Sequence, residues 1–129
     1  MNVRHIEKAH EDARGSIADI LEDQIVEHVS IITTAKGSVR GNHLHKETWQ
    51  WVYIVQGALR YVTREGTQAC ESGSVGAGDV LMTGPMEAHA LEALEDTTMV
   101  VMTRGPRGGR EYESDTYRLE EPLIEGVPA

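Results

Sequence analysis

The sequence predicts an all-β fold, a sandwich or barrel built from short strands. From about Ser30 onward, segments rich in β-branched and aromatic residues recur at spacings of roughly ten residues. Glycine-rich turns separate them, and the chain holds 13 glycines and 4 prolines among its 129 residues. Short apolar segments divided by turn residues are typical of β-sandwiches and barrels.

The expected strands follow one another in a regular order. REGTQ, residues 64–68, is expected to be a turn, and GSVGAGD, residues 73–79, provides glycines before a short strand. The segments expected to be strands are VSIITT (29–34), QWVYIV (50–55), LRYVT (59–63), VLMT (80–83), HALEAL (89–94) and TTMVVMT (97–103).

The N-terminal segment has a different pattern. Its apolar residues recur at helical spacing, at Ile17, Ile20, Leu21, Ile25 and Val29. The segment is therefore either a helix or two short strands whose periodicity misleads. We divide the single domain into a 1–29 extension contributing a strand or short helix, a 30–103 barrel core and a 104–129 segment. We expect that last segment to pack on the barrel or on a dimer partner, and the alternative is a lid over the pocket mouth.

Charge and cysteine content restrict the function. A net charge of −9 argues against nucleic acid or an anionic membrane as the main partner, because both need a cationic surface. Cys70 is the single cysteine, so no intrachain disulfide forms and nothing indicates an oxidising compartment. No apolar stretch of a signal peptide is seen, and the longest apolar run, Trp51–Val55, is too short to cross a bilayer. We expect a cytoplasmic protein with a small-molecule substrate.

The strongest local signal is a pair of histidines, His43 and His45, with one residue between them. Side chains two apart on a strand face the same way, so both imidazoles lie on one side. Two imidazoles on one face can share a metal ion. If the chain turns at residues 46–48, Gln50 comes close, and His89 is a third imidazole from a distant strand. On spacing alone, two half-buried histidines without a shared role are an equal alternative.

The spacing resembles the first motif of the cupin superfamily, G-x5-H-x-H-x3,4-E-x6-G. The chain matches this motif, with glutamine in the glutamate position, at Gly37, His43, His45, Gln50 and Gly57. The second motif, G-x5-P-x-G-x2-H-x3-N, is matched more loosely at Gly78, Pro85 and His89, with Ala93 in place of asparagine. The resemblance implies a cupin jelly-roll β-barrel, a double-stranded β-helix, with a site inside one mouth.

The resemblance also implies a divalent transition metal, Zn, Ni, Fe or Mn. Its expected ligands are His43, His45, Gln50 and His89. Glu47 competes with Gln50, because on a straight strand it would share a face with His45. The alternative for His89 is a core histidine bonded to a carbonyl. A neutral amide in place of a carboxylate leaves the charge of the ion uncompensated, which favours Lewis-acid chemistry over oxidised iron.

A narrower resemblance concerns DARGSI, residues 12–17, and VRGNHLHK, residues 39–46. Both are similar to elements of small cupins that act on nucleotide sugars. Some of those are metal-free ketoisomerases or epimerases with a histidine base, and others carry zinc. Gln50, in the glutamate position, also resembles the glutamine ligand of a metal-dependent cupin that opens unsaturated uronates.

We therefore expect an enzyme, an isomerase or tautomerase of a sugar or uronate derivative that uses a divalent metal as a Lewis acid. The alternatives are a non-haem iron dioxygenase, a metal-free sugar-nucleotide isomerase or epimerase with His43 or His45 as base, and a non-catalytic ligand binder. The candidates for the group that shuttles the proton are Glu47, Glu87 and Tyr112.

Two further residues are candidates for the substrate pocket. Arg40 precedes the histidine strand and suits an anionic substrate group, with a structural salt bridge as the alternative. Met82 is a candidate pocket-lining residue, although methionine often only fills gaps. We also expect a homodimer that buries an apolar outer face formed by Trp51, Tyr53 and Val55.

Overall fold

The computed structural model describes residues 2–108 and 110–126. Within these ranges the chain forms strands, turns and irregular segments without a helix, so the all-β prediction is confirmed and no described segment is a membrane-spanning helix. The strands are β1 (Asn2–His5), β2 (His10–Asp12), β3 (Gly15–Ile17), β4 (His28–Thr34), β5 (Val39–Leu44), β6 (Trp49–Gln56), β7 (Ala58–Glu65), β8 (Glu71–Gly76), β9 (Asp79–Thr83), β10 (Glu87–Ala93), β11 (Thr97–Arg104) and β12 (Tyr117–Arg118).

The core lies between two five-stranded antiparallel sheets. One has the order β1-β9-β6-β11-β4, the other has the order β12-β5-β10-β7-β8, and β2 and β3 form a separate hairpin. Because side chains alternate along a strand, one face of each sheet points inward. Buried apolar residues of both sheets pack together there: Val52, Ile54, Leu59, Val75, Leu81, Leu91, Ala93, Met99 and Val101.

The outer face of β6 is covered by the N-terminal segment of the same chain. Trp51 is only 4% exposed and packs with Val80 and Met102. Residues of the N-terminal segment that pack against this cluster are Ile6, Ile20, Leu21 and Val26. Of the apolar residues spaced like a helix, Ile20 and Leu21 cover this sheet from an irregular segment, whereas the other three are exposed. The described residues form no helix there, so the helix alternative was wrong. Trp51 is therefore covered within the chain, which corrects its place in the expected dimer surface, whereas Val55 of that surface is 47% exposed.

β5 contains one extra residue where it pairs with β10. His43 lies opposite His89 and Gly41 lies opposite Ala90, so Asn42 has no partner across this ladder. Asn42 has a φ of 56°, a left-handed conformation that asparagine adopts more readily than most residues. The strand therefore carries a β-bulge immediately before the first histidine.

The bulge changes which residues share a face. Residues directly opposite each other in an antiparallel pair project to the same side, and Arg40 lies opposite Leu91 of the core. Arg40 therefore points to the inner side together with His43. On a regular strand, three residues of separation would have placed these two side chains on opposite faces.

Gly41 allows β5 and β10 to approach closely beside the histidines. Its φ is 93°, and a Cβ at this position would lie 2.7 Å from the carbonyl oxygen of His89. Gly37 has a similar φ of 86° but has no atom within 4 Å of such a Cβ. We expect Gly41→Ala to lower the free energy of unfolding by about 1–3 kcal/mol more than Gly37→Ala, because only the first change also forces the strands apart. Denaturant titration of both variants measures this difference, and equal losses would contradict it.

Candidate functional site

Three imidazoles meet where β5 and β10 leave the core. His43 and His89 lie directly opposite each other on the two strands, and His45 follows at the end of β5. One nitrogen from each ring lies within 4.8 Å of the others. The ring centroids of His43 and His89 are 4.7 Å apart, and those of His45 and His89 are 5.1 Å apart. The structure therefore groups these side chains into one compact cluster, called the histidine cluster below.

Main-chain carbonyls orient two of the three rings. The Nδ1–H of His45 donates to the carbonyl oxygen of Asp115 at 2.9 Å, and the Nδ1–H of His89 donates to that of Glu87 at 3.2 Å. In the neutral tautomer this leaves the lone pair on Nε2. Both Nε2 atoms are buried and have no hydrogen-bond partner among the described residues. The cluster therefore presents two buried, unused lone pairs.

The surroundings keep all three imidazoles neutral. Burial, followed by the charges that His89 and His45 would carry, lowers the pKa of His43 to about 3. Burial likewise lowers the pKa of His89 to about 4. Burial also lowers the pKa of His45, although the hydrogen bond to the Asp115 carbonyl opposes that shift. At neutral pH the cluster is a set of proton acceptors or metal ligands rather than a set of cations.

The donor set fits a divalent transition metal. Histidine ligands commonly donate the second ring N–H to a carbonyl, as His45 and His89 do. Neutral imidazoles suit Zn, Ni or Fe better than Mg or Ca. The same arrangement fits an uncharged base that removes a proton from a substrate, because a base needs the same free lone pair.

Gln50 and Glu47, the two competing fourth ligands, lie in different surroundings. Gln50 is buried and lines a small cavity of about 50 Å³ together with His43 and His89. The chain turns directly after His45, so Glu47 is exposed, and its N–H donates to the Asp115 carboxylate. Of the two residues, the structure therefore brings only Gln50 to the cavity of the histidine cluster.

Two arginines border the same cavity. Arg40 and Arg107 line both the inner cavity and an adjoining outer pocket of about 350 Å³. Arg40 is held by Thr34 Oγ1 at 2.8 Å and by the carbonyl of Thr33 at 2.9 Å. Burial and the neighbouring charge of Arg40 lower the pKa of Arg107. In the part of the chain that the structure describes, neither guanidinium forms an ion pair with a carboxylate, so the pair suits an anionic ligand.

The remaining candidates lie outside the inner cavity. Tyr112 is exposed but borders the outer pocket beside Arg107. Glu87 is buried, accepts the N–H of Gly84 at 3.2 Å through its carboxylate, and accepts the Nδ1–H of His89 at its main-chain carbonyl. Met82 pairs with Trp51 across β9 and β6 on the outer side of the sheet, so it does not line the inner cavity.

Two residues of the site, Arg107 and Asp115, were not predicted from the sequence. Both lie in the polar C-terminal segment, where no periodicity indicates which residues turn inward. The carboxylate of Asp115 is bonded to three consecutive main-chain N–H groups about seventy residues earlier in the chain, which no local pattern predicts.

The chain resembles proteins of carbohydrate biosynthesis. A family model described as "Polysaccharide biosynthesis C-terminal domain" matches residues 10–117. Among solved structures, a 3,4-ketoisomerase from Helicobacter canadensis aligns with a TM-score of 0.74 and 19% identity over 91% of this chain and 89% of that chain. QdtA, a sugar 3,4-ketoisomerase from Thermoanaerobacterium thermosaccharolyticum in complex with TDP, aligns with a TM-score of 0.72 and 16% identity over 92% and 88%.

A dTDP-4-dehydrorhamnose 3,5-epimerase from Sulfolobus tokodaii is also similar, with a TM-score of 0.58 and 21% identity over 74% of this chain and 65% of that chain. No curated protein matches the sequence. The structural similarities confirm the predicted cupin jelly roll.

The lowered pKa values predict a pH-dependent stability. Between about pH 6.5 and the folded pKa values of His43 and His89, the unfolded chain binds protons that the folded chain does not. We therefore expect the free energy of unfolding to fall as pH is lowered from 7 to 5, by up to about 1.4 kcal/mol per pH unit for each histidine below pH 6.5. Denaturant titrations with a chelator present measure this slope.

A control variant distinguishes the contribution of the histidine cluster to this slope from that of exposed histidines. His89→Gln flattens the slope, whereas His10→Asn, at an exposed position outside the cluster, keeps the fall in stability toward low pH. An unchanged slope in His89→Gln would show that the cluster is not the source.

Proposed function

We propose that this chain, which belongs to the polysaccharide biosynthesis C-terminal domain family, is an isomerase of keto sugars carried on a nucleoside diphosphate. The observation that carries the proposal is a cluster of three neutral imidazoles, two of which line one cavity together with two arginines. The similarity to sugar 3,4-ketoisomerases supports the metal-free alternative drawn from the sequence more than the metal-dependent one.

In this proposal the arginines bind the diphosphate. Arg40 and Arg107 lie close enough for the charge of one to lower the pKa of the other, so a bound anion would relieve their repulsion. The outer pocket that they line, about 350 Å³, has room for a phosphorylated group that the inner cavity of about 50 Å³ lacks. The diphosphate would lie in the outer pocket, and the sugar would extend toward the histidine cluster.

His43 is the proposed proton acceptor. It is the most exposed of the three histidines and lines the inner cavity. Its neutral imidazole takes a proton from the carbon that bears a hydroxyl next to the keto carbon, and the C–H electron pair forms the double bond of an enediol. A proton then returns to the former carbonyl carbon while the hydroxyl hydrogen moves between the two oxygens. The carbonyl group thereby moves to the adjacent carbon of the sugar, and no oxidant or reductant is needed.

Gln50 and the other histidines complete the proposed site. The Gln50 amide lines the inner cavity and can donate a hydrogen bond to the oxygen that gains negative charge. His45 and His89 keep their Nε2 lone pairs in the cluster and allow a proton to be passed on.

A metal-assisted isomerase is the second candidate function. It is favoured by the unpartnered Nε2 atoms of His45 and His89, which together with His43 and Gln50 would hold a divalent ion such as Zn, Ni, Fe or Mn. When bound, such an ion supplies Lewis-acid polarisation of a carbonyl.

We also propose a homodimer, formed through β4 rather than through the surface around Trp51. β4 forms a free edge of its sheet, and its residues Val29 and Ile31 are 66% and 74% exposed. Exposed apolar side chains on an edge strand are typical of surfaces that a second copy covers.

Solvent exchange tests the reaction. With TDP-4-keto-6-deoxyglucose in D₂O, we expect one deuterium to enter the carbon-bound positions of the sugar, observed by mass spectrometry and NMR. His43→Gln should lower this rate by about 100-fold or more, because the base is lost. His10→Gln is the matched control at an exposed position.

The same assay separates the two candidates. A rate unchanged after complete chelation supports the metal-free isomerase. Loss on chelation with recovery on adding one metal supports the metal-assisted isomerase. Absence of exchange in both the chelated and the metal-supplied protein would refute the proposed function.

The arginine site has its own test. We expect Arg107→Ala to weaken TDP binding, measured by calorimetry, by about tenfold, because a partly buried charge-assisted contact is removed. Arg110→Ala, which removes an exposed arginine of the same segment, is the control and should leave the affinity unchanged. Equal affinities for the wild-type protein and Arg107→Ala would exclude Arg107 from the anion site.

A further inference from the structure

One residue of the C-terminal segment contacts four consecutive residues around the second histidine of the cluster. The Asp115 carboxylate accepts the main-chain N–H groups of Lys46, Glu47 and Thr48, each at 2.9 Å, and the Thr48 hydroxyl at 2.9 Å. Its main-chain carbonyl accepts the Nδ1–H of His45 at 2.9 Å. Asp115 therefore binds the whole turn between β5 and β6.

The turn needs such a partner. Between β5 and β6 the main chain has no ladder partner for the N–H groups of residues 46–48, and unpaired N–H groups are costly where water is excluded. Thr48 is 0% exposed, so its N–H and hydroxyl are shielded from solvent. The Asp115 carboxylate satisfies these donors together and fixes the exit angle of the chain directly after His45.

The backbone of Asp115 is adapted to both contacts. Its φ is 55°, in the left-handed region that aspartate, asparagine and glycine adopt most readily. This conformation lets the carboxylate and the carbonyl of a single residue reach adjacent groups of the same turn.

We propose that Asp115 is a positioning residue that selects the Nδ1–H tautomer of His45 and keeps its Nε2 lone pair in the histidine cluster. The carboxylate anchors the main chain of residue 115, and the anchored carbonyl then holds Nδ1. This role rests on the proposed function, in which the histidine cluster is the reaction centre. Its role is distinct from that of Glu87, which offers a carbonyl to His89 at the longer distance of 3.2 Å from within the same strand, β10.

Two variants separate the carboxylate from the backbone conformation. Asp115→Gly keeps the left-handed conformation accessible and removes the side chain, and Asp115→Asn keeps the shape but replaces one acceptor oxygen with a donor. Asp96→Asn is the matched control, because Asp96 also accepts a main-chain N–H, that of Lys36 at 2.9 Å, but does not contact His45.

The direct measurement is the ¹⁵N NMR spectrum of the His45 imidazole at neutral pH. We expect a single Nδ1–H form in the wild-type protein and in Asp96→Asn, and a mixture of both tautomers in Asp115→Gly and Asp115→Asn. In the isomerase assay, the two Asp115 variants should lose about 10- to 100-fold in kcat with KM changed by no more than about twofold, as for other residues that orient a reacting group.

An unaltered His45 tautomer in both Asp115 variants would overturn the inference. So would an equal loss of kcat in Asp96→Asn, because the effect would then reflect general stability. Since the tautomer is measured without substrate, the inference is decided even if the wild-type protein shows no isomerase activity.

Discussion

The site depends on one constraint, the extra residue that β5 carries at Asn42. The bulge places His43 opposite His89 and, two positions earlier in the ladder, turns Arg40 to the inner side. Without it, the imidazoles and the arginine would lie on different faces of the sheet. Gly41 contributes to the same bulge, because only a residue without a side chain allows β5 to lie so close to the His89 carbonyl. A local irregularity thus brings together a proton acceptor and a positive charge.

The electrostatics of the cavity contrast with those of the whole chain. The protein carries a net charge of −9, yet Arg40 and Arg107 border a cavity in which burial keeps the imidazoles neutral. Since no carboxylate of the described ranges is paired with these arginines, the cavity favours a ligand that brings its own negative charge. The proposed nucleoside diphosphate would meet this requirement and would carry a neutral sugar toward the cluster.

The features of the fold and the site that could be predicted from the sequence are those determined by local periodicity. Alternation along the strands predicted the all-β fold, and the separation of His43 and His45 predicted that both rings lie on one side. The face of Arg40 was not predictable, because a single unpaired residue shifts the alternation. The helical spacing between Ile17 and Val29 gave a wrong prediction, because Ile20 and Leu21 are apolar in order to cover Trp51 from an irregular segment. Arg107 and Asp115 act across long sequence separations, where local pattern carries no information.

The C-terminal segment has a consequence for how the protein is made. Asn42 donates to the carbonyl of Ile124 and accepts the N–H groups of Leu123 and Ile124, while Asp115 holds the turn after His45. The histidine strand is thus held by residues that lie about seventy to eighty positions later in the chain. During synthesis the histidine strand leaves the ribosome before these residues, so the centre acquires its final geometry only after residues 115–124 have also emerged.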